Sequence, residues 1–541
     1  MHFSTTKEVY SKRKKKGGKS TAKLGETSNA LKSRKSKEKL PAEPTASAFS
    51  RDPGEDALSD EQRVILDMVV SQGKSVFFTG PAGTGKSVLL RKMVSDLAKK
   101  YSKDMDHVAV TASTGMAAFR LDGTTLHRFA GIGLGQAPLA KLIQDINKCP
   151  YKRGRWLKAK VLVIDEISMV SAELFDKLDQ IARKVRYSSR PFGGIQLVVT
   201  GDFFQLPPIV KGADDGSPRF CFQAESWKRA VPHTMNLTTI YRQKDPKLTK
   251  MLNEIREGEP SGDTIRTIQK LNRPLQWGQP RVADATELYP TRRGADEANA
   301  RRMASLKGPS RTYHAVEGGK IKDPIARKRL LTDCIAPDTV ELKVGAQVVL
   351  VKNMEDLVNG SQGLVVGFAD DDSFRNSQWF GQDGNEPIKF EKDALPEPTS
   401  CLEKSANLYP VVCFSLPNGT TDTILCKPAE WTVSRWDLVT TFPEPEWRTE
   451  TLATRVQVPL ILGWALSIHK AQGQTLDRVK VDLGQTFENG QAYVALSRVT
   501  TIEGLQVLNF DPSKVTVHPA VKQFYSELSR APTEPLQRLE N

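Results

Sequence analysis

Short apolar runs alternate along this chain with longer stretches whose apolar residues recur three and four positions apart. SVFFT (Ser75 to Thr79) reads as a strand, and SVLLRKMVSDLAKK (Ser87 to Lys100) puts Leu89, Leu90, Met93, Val94 and Leu97 on one side of a helix. Upstream, LSDEQRVILDMVV (Leu58 to Val70) opens a helix, with Ser59 and Gln62 at capping-box spacing. VLVIDEISMV (Val161 to Val170) and QLVVTGDFFQLPP (Gln196 to Pro208) begin as unbroken apolar strands, the pattern of a parallel sheet covered on both faces. ELYPT (Glu287 to Thr291), RVKVDLG (Arg478 to Gly484) and GLQVLNF (Gly504 to Phe510) repeat the theme in a second α/β set. Between them lie short β-rich runs, VVLV, GLVVGF, YPVVCFS and TILCK, broken by the polar stretch GFADDDSFRNSQWFGQDGNEP. The pattern predicts an α/β chain with two α/β domains and short β-rich runs between the parts of the second.

The 541 residues suffice for two to four domains. The longest apolar run, VPLILGWALSI (Val458 to Ile468), is too short to span a bilayer, so no membrane partner is expected. Six scattered cysteines, Cys149, Cys221, Cys334, Cys401, Cys413 and Cys426, form no CxxC pair and suggest a reducing compartment without structural zinc. The net charge of +15 is uneven: residues 1–50 hold 13 Lys/Arg against 4 Asp/Glu, or +9. That stretch has too few apolar residues to offset the entropy of ordering, so it is expected to be disordered. Its run KRKKKGGK (Lys12 to Lys19) suits a nuclear import signal or a phosphate-binding arm, against the plain reading of a solvated charge run. A mitochondrial presequence fits less well, because the lysines lack an apolar face.

The chemistry begins at GPAGTGKS. Between a strand and a helix, Gly80, Pro81, Ala82, Gly83, Thr84 and Gly85 form a loop whose backbone N–H groups can point at phosphate oxygens. Lys86 would pair with the outer phosphates and Ser87 would ligate magnesium, which together predict ATP and magnesium as ligands. Asp165 and Glu166 end a buried strand where ligands gather, Asp165 for the magnesium shell and Glu166 to deprotonate the attacking water. Gln205 suits a contact to the terminal phosphate, since an amide both donates and accepts. Gln62 is open between a cap and a contact to adenine. Arg242 in TTIYRQ and Arg498 in YVALSRVT lie beyond the first nucleotide-binding unit, placed to stabilise charge across a cleft between two domains.

The ordered series GPAGTGKS, VAVTASTGMAA, TTLHRFAGIGLG, VIDEISMV, PFGGIQLVVTGDFFQLPPI, YRQKD, ATELYPT, VGAQVVLVKN, DLVNGSQG, WALSIHKAQGQTLDRV and GQAYVALSRVTTIEGLQV resembles the PIF (petite integration frequency) family of DNA helicases. These belong to superfamily one, in its RecD-like branch. The resemblance runs from about Leu58 to about Phe510, and SAELFDKLDQIARKVRYSSRPFGG (Ser171 to Gly194) resembles the segment that sets this family apart. It implies two RecA-like P-loop motor domains, with a small SH3-like β-barrel inserted in the second. The expected limits are 1–54 for a disordered basic tail, 55–231 for the first motor domain, 232–341 and 460–530 for the second, 342–459 for the insertion, and 531–541 for a tail.

The resemblance also implies ATP-driven five-prime to three-prime movement on single-stranded DNA, with forked and G-quadruplex DNA as further partners. It implies a monomer, and a nuclear location with a mitochondrial pool. By motif, Lys86, Ser87, Asp165, Glu166, Gln205, Arg242 and Arg498 would form the ATPase set with Gln62 at adenine. Thr111, Thr114, His127, Thr291, His469 and Thr475 would touch the DNA track, and Phe129 and Tyr493 are candidates to stack on bases, against the reading of both as core residues. Two rivals remain: a RecD-like or Helitron-type transposon helicase, and a protein that grips structured DNA and uses ATP only as a switch.

Overall fold

The computed structural model describes residues 58–530 apart from 102–106, 122, 209–217, 276–283, 332–333, 353, 355–356, 358–359, 376–407, 416–420, 440–445 and 477. The basic tail expected at 1–54 and the end at 531–541 lie outside the described residues.

Six strands, β1 (Val76–Thr79), β2 (Val108–Ala112), β3 (Thr124–Thr125), β4 (Val161–Asp165), β5 (Gln196–Thr200) and β6 (His233–Asn236), form one sheet in the order β3-β2-β4-β5-β1-β6. Every pairing in it is parallel, so all strands end at one edge. Alternation sorts the side chains: Phe77, Leu162, Ile164, Leu197 and Val199 face one core, while Val76, Phe78, Val161, Val163 and Val198 face another. The second core is closed by α1 (Asp60–Val70) through Ile65 and Val69, and by α2 (Lys86–Lys100) through Leu89, Leu90, Met93 and Leu97. β6 carries the first sheet past the limit expected at 231; its sequence HTMN is too polar to read as a strand, and as an edge strand it is only partly buried.

On the opposite face lies the helix Ala172–Val185, which buries Phe175, Leu178, Ile181, Ala182 and Val185. Its buried Asp179 accepts from Phe192 N at 2.6 Å, and Arg186 Nε donates to Gly193 O at 2.9 Å. Phe192, Gly193 and Gly194 take φ of 48°, 61° and 82°, and a Cβ on Gly193 would sit 2.7 Å from Ala182 O. The segment Ser171 to Gly194 is thus a brace that holds a left-handed turn just before β5.

A second parallel sheet orders Ala465–Ser467, Thr286–Tyr289, Val479–Asp482 and Leu505–Leu508, joining two distant parts of the chain. Between those parts is a five-stranded antiparallel sheet in the order Thr421–Leu425, Tyr409–Ser415, Gln362–Ala369, Gln347–Leu350, Leu460–Leu462. The long hairpin Ala429–Val439 with Glu446–Gln457 pairs with Val316–Gly318, upstream of the limit expected at 342. The helix Pro519–Arg530, expected in the second domain, instead sends Val521, Phe524 and Tyr525 into the core of the first sheet.

Candidate active site

The ends of β1, β4 and β5 converge with segments from the far half of the chain. After β1, Gly83 and Gly85 turn with φ of 93° and 79°, and a Cβ on Gly83 would meet Gln243 Oε1 at 2.7 Å and Arg242 Cβ at 2.8 Å. The loop is therefore enclosed by YRQ, whose Tyr241 N donates to Gly83 O at 2.8 Å. Lys86 opens α2, and its Nζ donates to Gly80 O at 2.6 Å and Pro81 O at 2.9 Å. Burial pulls its ammonium down to about 8, against the pull of Asp202 and Glu166. Gln62 completes the capping box with Ser59, and its Nε2 also donates to Thr84 O at 3.3 Å. It therefore serves as a cap and touches the loop at once.

At the end of β4, Glu166 stands at φ 52°, a left-handed conformation rare for a residue with a side chain and typical of functional strain. Its N–H donates to Asp165 Oδ1 at 2.8 Å. Burial first and the Glu166 charge second raise the Asp165 carboxyl. Gln472, from the second half of the chain, donates through Nε2 to Glu166 Oε2 at 3.0 Å and to Gln205 Oε1 at 3.3 Å. Arg120 Nη1 donates to Gln472 O at 3.2 Å. Arg498 is buried, bonded through Nε to Val494 O at 2.7 Å; burial and then the neighbouring Arg242 lower it to about 9. The Glu166 charge opposes the burial that lowers Lys86, Arg120, Arg242 and Arg498.

The structure brings Gln62 and Lys86 onto the loop, Asp165, Glu166 and Gln205 to the neighbouring strand ends, and Arg242 and the buried Arg498 in from the far half of the chain. Arg120, Gln472 and Tyr241 escaped the reading of the sequence. HKAQGQTL contains the Gln472 signal, whereas nothing local marks Arg120, whose role exists only through contacts 352 residues away. Tyr241 is 48% exposed and lies 3.7 Å from the Cβ position of Gly85, beside Gln62.

The DNA set separates into two groups. Thr114 and Thr291 cap helices that follow β2 and Thr286–Tyr289, accepting from Ala117 N and Gly294 N at 3.2 Å each. Thr475 is exposed, His127 is half-buried, and His469 Nε2 lies 3.6 Å from Glu488 Oε2. Thr111, Phe129 and Tyr493 belong elsewhere. The Thr111 hydroxyl is buried and donates to Val163 O at 2.6 Å, so it has no phosphate to offer itself to. Phe129 packs in the core, 5.1 Å from Trp156 between ring centroids. Tyr493 is 2% exposed and its hydroxyl accepts from Ala82 N at 2.7 Å, which ties it to the phosphate-loop backbone rather than to a base.

Comparison with known proteins follows the same lines. The profile of the PIF1-like helicases matches residues 57–264, and that of the 2B domain of DNA helicase Pif1 matches 327–368. The chain is 49% identical over 503 residues to the ATP-dependent DNA helicase PIF1 of Emericella nidulans, covering 89% of this chain and 65% of that one. Against the crystal structure of Pif1 helicase from Candida albicans the TM-score is 0.68 at 44% identity, over 87% of this chain and 99% of that one.

The chain belongs to the PIF1-like helicase family. A Bacteroides Pif1 in complex with ADP-AlF3 and ssDNA is similar at a TM-score of 0.54 and 26% identity, over 87% of this chain and 97% of that one. This PIF1-like chain spans about two thirds or less of the length of the curated fungal relatives it matches, 65% for the Emericella nidulans helicase.

Proposed function

We propose that this chain is an ATP-dependent DNA helicase that moves five-prime to three-prime on single-stranded DNA and separates duplex or forked DNA. The observation that carries the reading is Gln472, whose single amide bridges Glu166 and Gln205 from the segment that also bears His469. Hydrolysis at one domain is then tied to a DNA-facing element on the other. The two parallel sheets are read as RecA-like motors and the antiparallel sheet as the SH3-like insertion. The Bacteroides complex with nucleotide analogue and ssDNA supports the choice of ligands. G-quadruplex DNA, a monomeric state and a nuclear location with a mitochondrial pool belong to the same reading, resting on the family and on KRKKKGGK.

In this reading Lys86 exchanges its two loop carbonyls for phosphate oxygens, Glu166 orients and deprotonates water, and Arg242 and Arg498 offset charge at the transferred phosphate. Among the described residues no group of three or more His, Cys, Asp or Glu suits a metal; a hydroxyl and a carboxylate, those of Ser87 and Asp165, are the oxygen donors that would hold magnesium, which needs few protein ligands. Magnesium held there would supply charge neutralisation for the phosphates.

Strand displacement tests the proposal, with ATP and two partial duplexes that differ only in a five-prime or three-prime single-stranded tail. Unwinding from the five-prime tail alone is expected; unwinding from the three-prime tail alone would overturn the direction, and binding without unwinding would favour the ATP-switched reading. Tyr241, beside Gln62 at the mouth of the loop, suits one face of the adenine. Base stacking is worth about 1–3 kcal/mol, so Tyr241→Ala should raise the KM for ATP by between about fivefold and about 150-fold, with Tyr241→Phe near wild type. An unchanged KM would remove the ring from the nucleotide site.

A further inference from the structure

The helix Pro519–Arg530 follows the last strand of the second sheet but docks on the first. Phe524 stacks on Phe222 at 4.4 Å, and Tyr525 stacks on Phe204 at 4.6 Å. The Tyr525 hydroxyl lies 2.6 Å from Thr79 Oγ1, accepts from Phe203 N at 3.2 Å and donates to Asp202 Oδ1 at 3.3 Å. One proton given and two lone pairs used exhaust what a phenol can do. Its partners are consequential, because Thr79 precedes Gly80 of the phosphate loop and Asp202 lies three residues before Gln205.

Asp202 is fully buried and held by a two-pronged Arg256, Nε to Oδ2 at 3.0 Å and Nη2 to Oδ1 at 2.9 Å. Burial alone would push that carboxyl up; the Arg256 guanidinium keeps it below the usual range. Arg256 also lies 4.2 Å over the Phe204 ring and 5.2 Å over the Tyr525 ring. It comes from the helix Pro246–Glu257, whose Leu248, Met251, Leu252 and Ile255 pack with the second sheet. The ends of β1 and β5, a helix of the second domain and the returning helix therefore meet at one buried ion pair, and a buried pair fixed by a planar fork specifies geometry more than it adds stability.

We propose that Tyr525, acting with the Asp202–Arg256 pair, is a positioning residue for ATP hydrolysis that sets the phosphate loop and Gln205 in register with the second domain. The inference rests on the ATPase reading above. No sequence motif marks it, since the resemblance ends near Phe510.

The test uses the full chain with Tyr525→Phe, which keeps the stacked ring and removes only the hydroxyl, and Arg256→Lys, which keeps the charge and removes the fork. For each, kcat and KM for ATP are measured with saturating single-stranded DNA, together with DNA affinity and Tm. Both variants should lower kcat about tenfold, with KM and DNA affinity within about twofold of wild type, as small misplacement of reacting groups does. Lower Tm with wild-type kcat per folded molecule would reduce Tyr525 to a packing strut and overturn the inference. A wild-type chain without DNA-stimulated ATPase would overturn the reading beneath it, a separate result from a wild type that hydrolyses ATP and a Tyr525→Phe chain that does so equally well.

Discussion

Lys86→Ala is expected to lower the ATPase kcat by about three orders of magnitude and to abolish strand displacement, with the fold intact. Lys86 occupies the first position of α2, where alanine is a better helix former, so the helix itself loses nothing. What disappears is the ammonium that bonds Gly80 O and Pro81 O while the loop is closed on itself. Burial has brought that group down to about 8, close enough to neutrality that an arriving phosphate strengthens its charge as well as receiving it. Asp202 and Glu166 supply the attraction that opposes its burial, and as anions they cannot take over its contact with a phosphate. The check is steady-state ATPase with and without single-stranded DNA, beside a melting curve. A mutant within tenfold of wild type, at unchanged Tm, would show that the energy of hydrolysis is not drawn through GPAGTGKS.

Glu166→Gln should bind ATP with near wild-type affinity and lose about two to four orders of magnitude in turnover, the range expected for removing a general base. The amide preserves the volume and can still meet Gln472, so the bridge from the second half of the chain persists while basicity goes. The left-handed backbone at φ 52° is unchanged by an isosteric replacement, which isolates the chemistry from the strain. Single-turnover hydrolysis with a fluorescent nucleotide separates binding from cleavage. Normal turnover would move the base to another residue, and lost nucleotide binding would make Glu166 a structural acid.

The core of the nucleotide site was legible because its parts are local. A strand, a glycine turn and a helix follow one another within Ser75 to Lys100, and the apolar pattern that buries Val161 to Ile164 also delivers Asp165 and Glu166 to the sheet edge. Arg242 and Arg498 were recognisable from their motifs, although not the way Ser497 O accepts from Arg242 at 3.3 Å. The aromatic and hydroxyl residues were read less well. Phe129 and Thr111 carry side chains that serve a core or a nucleic acid equally, and only burial chose between them.

Periodicity and contiguous motifs depend on backbone conformation a few residues at a time, so the chain on its own specified β1, β4 and β5 at the centre of the first sheet, the phosphate loop, the acidic pair and the family. Junctions between distant segments obey no such local rule. Folding alone placed Gln472 on Glu166, Arg120 on Gln472 and Tyr525 on Thr79, the last across 446 residues. Each is a hydrogen bond whose pairing has no signature in the sequence, because proximity is a property of the packed sheets rather than of any stretch of sequence.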